Sequence, residues 1–300
     1  MSHLASPASA ELLDRARAGL GPGSAASLAR FENLIEIVAG LESCVLALSG
    51  GIDSSFLLAV AAPLLGDRCL AVTADSAAVP AWDRDDAGVA ARDAGRHGAR
   101  WRGIATRELD DPRYALNPRS RCYFCKLEVY GALGAIAREE GYAWVVDGTN
   151  ATDVARTDRP GMAAARELWV RSPLAEAAIE KDELRRLARA LDLPDWDRPA
   201  SACLASRIPF GDRITAERLR RVEAAELRLR GLGFRQIRVR DFGADARVEV
   251  ERDELTELDR VAGQVTAILG GLGFEAWTRA PYSGSGAGDG TRLEPRQAPN

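Results

Sequence analysis

The sequence predicts an α/β protein: a doubly wound parallel sheet followed by a smaller α+β domain. Short apolar runs alternate with helical patterns between residues 24 and 150, and this rhythm changes after residue 171. Strands that alternate with helices at such spacing form parallel sheets with helices on both faces. The first of these strands ends in glycines, at the position where such folds bind ligands.

The elements of the predicted first domain follow from hydrophobic periodicity. An amphipathic pattern from Ser24 to Leu41 indicates a helix. The following helix, predicted at 53–65, is apolar on nearly all sides and should therefore be buried against the sheet. The strands are predicted at residues 43–51, 68–75, 99–106 and 142–150, and the later helices at 53–65, 81–98 and 122–140.

Beyond residue 171 the pattern predicts a second α+β unit. Its helices are expected at 180–193, 215–231 and 252–270, and its strands at 234–243, 246–251 and 274–280. Two segments that begin Gly-Leu-Gly-Phe each join the end of a helix to a strand. We interpret this similarity as a weak internal repeat, and chance is the alternative explanation. We therefore predict a flexible N-terminal arm at 1–23, a first domain at 24–195, a second at 196–282 and a disordered tail at 283–300.

The composition restricts the classes of partner. The 300 residues are 46% hydrophobic and 28% charged. The formal net charge of −4 does not favour binding of nucleic acid, which is typical of strongly basic domains. Neither an apolar stretch of about 20 residues nor a signal peptide is visible in the sequence. We expect a cytoplasmic protein without nucleic acid or membrane partners.

The strongest motif is Ser49-Gly50-Gly51-Ile52-Asp53-Ser54-Ser55, between a buried strand and a helix. Two glycines allow a tight turn whose N–H groups face an anion at the helix N-terminus. The serines add hydroxyl donors, and Asp53 can order the turn or help to hold a metal. The lysine of the Walker pattern is missing. A second polar loop, residues 147–153, follows the fourth strand at the same sheet edge.

The five cysteines divide into two groups. Cys44 and Cys69 fall on buried strands, where a cysteine is usually a small core residue. Cys122 and Cys125 lie at the predicted start of a helix. A CxxC motif there is compatible with a zinc site, a redox pair or an iron–sulfur site. Because Cys44 and Cys69 are expected in the core, Cys203 is the sensible third thiol. Three cysteines suit a 4Fe–4S cluster with one open iron, and three independent thiols are the alternative.

Basic residues accompany the cysteines. Lys126, one of two lysines in the chain, follows Cys125 directly, and Cys203 has Arg198 and Arg207 close in sequence. Positive charge near a thiol stabilises its thiolate. The alternate residues Arg238 and Arg240 of one predicted strand point to the same face and form a plausible anion clamp.

The loop Ser49–Ser55 resembles the pyrophosphate loop (PP-loop) of the ATP pyrophosphatases, whose fold is adenine nucleotide alpha-hydrolase-like. Together with the CxxC, the RPASACLASRIPFG block and the C-terminal RVR, it resembles the LarE family of ATP-dependent sulfur transferases. The resemblance implies adenylation by ATP with Mg²⁺. The ATP-binding residues that it implies are Ser49, Gly50, Gly51, Asp53, Ser54, Ser55, Asp75, Lys126, Gly148, Thr149 and Asp153.

The resemblance also implies a substrate and a sulfur source. LarE-type enzymes convert the carboxylates of a pyridinium-3,5-dicarboxylate mononucleotide to thiocarboxylates, and members with three cysteines are thought to hold a 4Fe–4S cluster. Cys122, Cys125 and Cys203 would be its ligands here. Homo-oligomers are expected in this family, and the sulfide donor is open. The implied substrate-binding residues are Arg207, Glu226, Arg238 and Arg240, with a second carboxylate among Glu249, Glu254 and Glu257.

Three other functions stay open from the sequence. A tRNA thiolase uses the same loop and a three-cysteine cluster, although no RNA-binding appendage is recognisable here. A glutamine-dependent amidating synthetase would carry a glutaminase domain and would not need clustered thiols. A catalytically silent nucleotide sensor or scaffold is disfavoured by the intact loop.

Overall fold

The computed structural model describes residues 6–156, 159–194, 196–198 and 201–282. The chain divides into two compact units. The first comprises residues 1–76, 81–108 and 122–201, and the second comprises residues 77–80, 109–121 and 202–300. Two short segments, 77–80 and 109–121, thus belong to the second unit although the sequence analysis placed them in the first domain. The tail predicted at 283–300 lies outside the described residues.

The helices and strands lie close to their predicted positions. The strands are β1 (Cys44–Ala47), β2 (Cys69–Asp75), β3 (Arg100–Ala105), β4 (Trp144–Val146), β5 (Ile237–Phe242), β6 (Asp245–Val250) and β7 (Ala276–Pro281). The helices are α1 (Pro7–Leu20), α2 (Ala25–Ala39), α3 (Ile52–Leu65), α4 (Ala81–Gly95), α5 (Pro112–Ala115), α6 (Arg121–Glu140), α7 (Ala151–Val154), α8 (Gly161–Glu167), α9 (Pro173–Glu176), α10 (Lys181–Ala190), α11 (Ala216–Arg230), α12 (Leu255–Arg260) and α13 (Ala262–Gly270). None of these described helices has the length and hydropathy needed to cross a bilayer.

The first unit is built on a parallel sheet in the order β3-β2-β1-β4. Side chains of β1 alternate between its two faces: Cys44 and Leu46 join a core with α2, α3, α4 and α10, whereas Val45 packs with Leu133 and Ala137 of α6. Both faces of the sheet are therefore covered by helices, which confirms the doubly wound prediction.

The strand order places two loops at one edge of this sheet. The chain leaves β1 towards β2 and β3 on one side, and later returns to pair β4 with the other side of β1. The carboxyl ends of β1 and β4 therefore flank the point at which the strand order reverses. Ligands of open α/β sheets bind at such a point. The loops at residues 48–51 and 147–150 both begin there.

The prediction of a flexible arm at 1–23 is wrong for the helix α1. Ser6 caps this helix, because its Oγ accepts the N–H of Ser9 at 3.1 Å, and a proline occupies the first turn. Leu12, Leu13 and Ala16 form one apolar face that is buried in the core of the first unit. The many small residues concealed this helical spacing.

The second unit holds a three-stranded sheet in the order β5-β6-β7, antiparallel between β5 and β6 and parallel between β6 and β7. α11, α12 and α13 contribute to its apolar core. Each Gly-Leu-Gly-Phe segment turns a helix into a strand through a glycine of positive φ, Gly233 at +99° and Gly273 at +84°. The helix predicted at 252–270 is divided, because α12 ends before Val261 and α13 begins after it.

We expect Leu13→Ala to destabilise the protein by about 2–5 kcal/mol, because a leucine in a packed core leaves a cavity when it is truncated. Guanidinium unfolding monitored by circular dichroism measures this change. Glu11→Ala, at an exposed position of the same helix, is the matched control and should change stability little. Equal stability of both variants and the wild type would show that α1 is not part of the core.

Candidate functional site

The loop between β1 and α3 is shaped by a glycine that no other residue can replace. Gly50 has φ +78°, and a Cβ there would lie 1.9 Å from the carbonyl oxygen of Asp83. Ser54 is buried, and its Oγ accepts the N–H of Ser49 and donates to the carbonyl of Gly51, both at 3.1 Å. The loop is thus held by its own side chains in front of the N-terminus of α3. A helix start of this kind offers N–H groups to a phosphate.

The loop after β4 is packed directly onto the first. A Cβ on Gly148 would lie 2.7 Å from the amide nitrogen of Ser54, so this approach also requires glycine. Asp147 is buried and accepts hydrogen bonds from the hydroxyls of Thr149 and Ser172, both at 2.8 Å, and from the N–H of Thr149. The structure therefore brings Gly148 and Thr149 beside the glycine-rich loop, as the motifs predicted.

Asp53 links the two loops to the start of α10. One carboxylate oxygen accepts the Nδ2 of Asn150 at 3.1 Å, and the other lies 2.5 Å from the ammonium of Lys181. Both the Asp53 and the Lys181 side chains are about three-quarters buried. The sequence analysis missed Lys181. The signal for it was its rarity, since it is the second of only two lysines in the chain.

Lys126 reaches the same edge of the sheet through Tyr130. Its ammonium lies 4.8 Å from the centre of the Tyr130 ring, and the Tyr130 hydroxyl donates to Asp147 at 2.5 Å. Burial raises the pKa of Tyr130 above its usual value, so this phenol stays protonated. The pKa of Lys126 is also raised, by Tyr130 and then by Asp147, so the ammonium stays charged.

Two predicted ATP-binding carboxylates have partners of their own. Asp75, at the end of β2, is largely exposed and forms an ion pair with Arg84 at 2.9 Å. Asp153 donates its N–H to Oδ1 of Asn150, and its carboxylate lies 2.8 Å from Arg159. Their roles in ATP binding stay predictions.

The cysteines fall into the two predicted groups. Cys44 and Cys69 are buried core residues, with their sulfurs 3.9 Å apart, and this hydrogen bond together with burial raises the pKa of the Cys44 thiol. Cys122 is exposed, whereas Cys125 and Cys203 are half-buried. Within the described ranges, no three His, Cys, Asp or Glu side chains converge as a metal-binding group. The three-cysteine cluster therefore stays a prediction.

The two arginines near Cys203 in sequence are both paired with carboxylates. Arg198 donates to Asp83 at 2.9 Å and also pairs with Asp86. Arg207 makes a two-fold hydrogen-bonded pair with Glu226, at 2.7 and 2.9 Å. Its remaining nitrogen donates to the carbonyls of Ala202 and Cys203, so Arg207 fixes the backbone around the thiol.

The second unit contains a buried group that we call the basic cluster. Its members are Arg207, Arg238, Arg240, Glu226 and Glu249. Arg240 pairs with Glu249 at 2.5 Å, and the guanidinium of Arg238 lies 4.4 Å from the centre of the Tyr282 ring. Burial and the charge of Arg207 lower the pKa of Arg238, but an arginine remains protonated. Three cations and two carboxylates leave the basic cluster with an excess positive charge.

The structure distinguishes the carboxylates that the sequence left open. Glu226 is not a solvated helix residue, since it is fully buried and also accepts the N–H of Val239 at 3.0 Å. Of the three candidates for the second carboxylate, Glu249 is the member of the basic cluster. Glu254 accepts the N–H of Arg235, and Glu257 forms an exposed pair with Arg260.

The parallel sheet, the glycine loop at its switch point and the polar loop packed on it define a PP-loop-type α/β protein. No family model matches the chain. Over 242 residues it is 34% identical to pyridinium-3,5-bisthiocarboxylic acid mononucleotide synthase of Lactiplantibacillus plantarum, covering 80% of this chain and 86% of that protein. Because this identity extends over most of both sequences, the chain belongs to the LarE family.

Two further relatives have no assigned activity. An uncharacterised protein of Synechocystis sp. is 40% identical over 252 residues, which cover 82% of this chain and 91% of that protein. An uncharacterised protein of Methanocaldococcus jannaschii is 28% identical over 231 residues, which cover 77% and 86%. The similarity thus extends well beyond the glycine-rich loop in each case.

We expect Glu226→Gln to lower the free energy of unfolding by about 3 kcal/mol, because it leaves the buried Arg207 charge without its counter-ion. Denaturant unfolding at neutral pH measures the loss. Glu217→Gln, on the exposed face of the same helix, is the matched control. A Glu226→Gln variant as stable as the control would mean that the pair does not support the fold.

Proposed function

We propose that this protein is an ATP-dependent sulfur transferase acting on pyridinium-3,5-dicarboxylate mononucleotide, in the synthesis of the nickel-pincer cofactor of lactate racemase. A carboxylate oxygen of the substrate attacks the α-phosphate of ATP, and pyrophosphate leaves. Sulfur then replaces the adenylated oxygen to give a thiocarboxylate, and AMP leaves. The observation that carries the proposal is the approach of Gly148 to Ser54, because it joins the two loops of a phosphate site. The name of the Lactiplantibacillus plantarum relative supports the substrate class.

The first unit would bind ATP. Pyrophosphate would lie against the N–H groups at the start of α3, where helix N-termini favour anions. Lys126 and Lys181 both stand at this edge of the sheet and would compensate the phosphate charge that a Walker lysine compensates elsewhere. Asp53 lies where a carboxylate can hold Mg²⁺, which neutralises the phosphates during transfer.

The basic cluster would bind the phosphate of the mononucleotide. Its excess positive charge is buried, and charge-assisted hydrogen bonds from guanidinium groups to phosphate are strong in such an environment. Arg207 and Arg240 are held by Glu226 and Glu249 and therefore present fixed geometry. This arrangement supports the substrate-binding assignment of the arginines.

Cys122, Cys125 and Cys203 would hold a 4Fe–4S cluster. The chemistry of the donors fits, since none of these three described cysteines is in a disulfide and Cys122 lies in the first turn of α6, where the helix dipole favours a thiolate. When bound, the cluster would supply sulfide for transfer at its open iron. Arg207 would keep the backbone of Cys203 in place through its two carbonyl contacts.

Asp53→Asn should abolish the pyrophosphate release that depends on both ATP and the dicarboxylate mononucleotide. A neutral amide cannot form the ion pair with Lys181 and cannot serve as an anionic ligand of Mg²⁺. Asp67→Asn, at an exposed position, is the control and should leave the rate unchanged. Pyrophosphate release with unmodified tRNA, and none with the mononucleotide, would replace this proposal by a tRNA thiolase. No release with either substrate would contradict both.

Anaerobically purified wild-type protein should contain about four irons and labile sulfides per chain. Cys122→Ala should lose them, whereas Cys44→Ala should keep them, because Cys44 is a core residue. Iron and sulfide analysis with an absorption spectrum measures this. Iron-free wild-type protein would overturn the cluster. The mass of Cys203 after turnover would then show whether its own sulfur is consumed, as loss of H₂S.

A further inference from the structure

Asn117 is a fully buried residue in the segment 109–121, which belongs to the second unit. Its backbone has φ +55°, in the left-handed region that asparagine tolerates better than most residues. The proposed reaction does not use it. Its side-chain contacts, however, all lead to the segment 208–211 and to Arg121.

The side chain of Asn117 makes three hydrogen bonds. Its Nδ2 donates to the carbonyls of Ile208 at 3.1 Å and Pro209 at 2.7 Å, and its Oδ1 accepts from Arg121 at 2.7 Å. Its backbone carbonyl accepts the N–H of Gly211 at 3.0 Å. Buried hydrogen bonds of this number fix a turn closely, because losing any one leaves a polar group unsatisfied.

Arg121 strengthens the same junction. Its guanidinium lies 4.6 Å from the centre of the Phe210 ring, a stacked arrangement in which a cation interacts with an aromatic face. Arg121 is itself buried, so the interaction is little screened by water. Asn117 therefore joins a chain of contacts that grips both the backbone and the side chain of the turn 208–211.

The segment held in this way continues directly from Cys203. The N–H of Leu204 donates to the carbonyl of Ala78 at 2.8 Å, which anchors its beginning. Arg207 binds the carbonyls of Ala202 and Cys203, and Asn117 anchors the end. The backbone of residues 202–211 is thus fixed at both ends by contacts within the second unit.

We propose that Asn117 is a positioning residue that sets the orientation of the Cys203 thiol and the Arg207 guanidinium for sulfur transfer. The inference deepens the proposed function and rests on it. An aspartate at position 117 retains the acceptor for Arg121 but has no donor for the two carbonyls. A glycine accepts the left-handed backbone but removes every side-chain contact.

The test compares Asn117→Gly, Asn117→Asp and the control Glu42→Gly. Glu42 also has a left-handed backbone, with φ +63°, but is exposed in the first unit. Three quantities are measured: kcat for thiocarboxylate formation, KM for ATP, and the rate at which iodoacetamide alkylates Cys203 in metal-free protein. Cys44 and Cys69, both buried, serve as internal references in the mass spectrum.

We expect both Asn117 variants to lower kcat by about tenfold or more with an unchanged KM for ATP, because small misplacements of reacting groups cost large factors in rate. The alkylation rate of Cys203 should change by about threefold or more at temperatures well below unfolding, because thiol reactivity follows the local environment. Glu42→Gly should match the wild type in all three quantities.

Two results would overturn the inference. The first is that both Asn117 variants have the same kcat and the same Cys203 alkylation rate as the wild type. The second is that kcat falls only in proportion to the loss of folded protein, while the alkylation rate of Cys203 in the folded fraction stays at the wild-type value. That result would show a purely structural role for Asn117. If Asn117→Gly does not fold, Asn117→Asp decides. If the wild type transfers no sulfur, the proposed function fails, and the alkylation rates alone decide whether Asn117 orients Cys203.

Discussion

The candidate phosphate site depends on one steric constraint, the contact between the loops that follow β1 and β4. Gly148 approaches the amide of Ser54 so closely that no side chain fits between them, and Gly50 approaches Asp83 in the same way. Because both loops leave neighbouring parallel strands at the switch point, the sheet itself brings them together. The N-terminus of α3 begins directly after the first of these loops, and the N–H groups of a helix N-terminus favour phosphates.

The basic cluster of the second unit is ordered by paired charges rather than by close main-chain contacts. Arg207 and Glu226 are nearly completely buried, and each carboxylate oxygen of Glu226 accepts a guanidinium nitrogen. Removing two ions from water costs roughly several kcal/mol, and their mutual attraction often does no more than offset this cost. Such pairs therefore seldom add net stability. Their physical effect is to fix the guanidinium in one orientation. The same argument applies to Arg240 and Glu249.

Much of this architecture could be predicted from the sequence because it is encoded locally. The apolar runs of β1, β2 and β4 and the glycines of the two loops are visible as patterns, and the structure has them at those positions. Lys181 was missed because its partner, Asp53, lies 128 residues away, and no local pattern encodes that contact. Asn117 was missed for the same reason, since it acts through carbonyls 91 and 92 residues further along the chain. α1 was mistaken for a flexible arm because its small residues obscured four buried positions.

Two residues proposed to bind ligands, Asp53 and Arg207, share a property that composition could not reveal, because each is already paired with other side chains of the chain. Asp53 is held by Lys181 and Asn150, and Arg207 by Glu226. A ligand that binds there must either join these pairs or exchange one partner for another. Joining leaves the geometry intact and uses charges already desolvated, so little reorganisation accompanies the reaction. Exchange releases a lysine or an arginine towards the incoming phosphate and couples binding to movement of the freed carboxylate. Under the proposed function, the carboxylate freed at Asp53 would become available to Mg²⁺, so binding of nucleotide and of metal would favour each other.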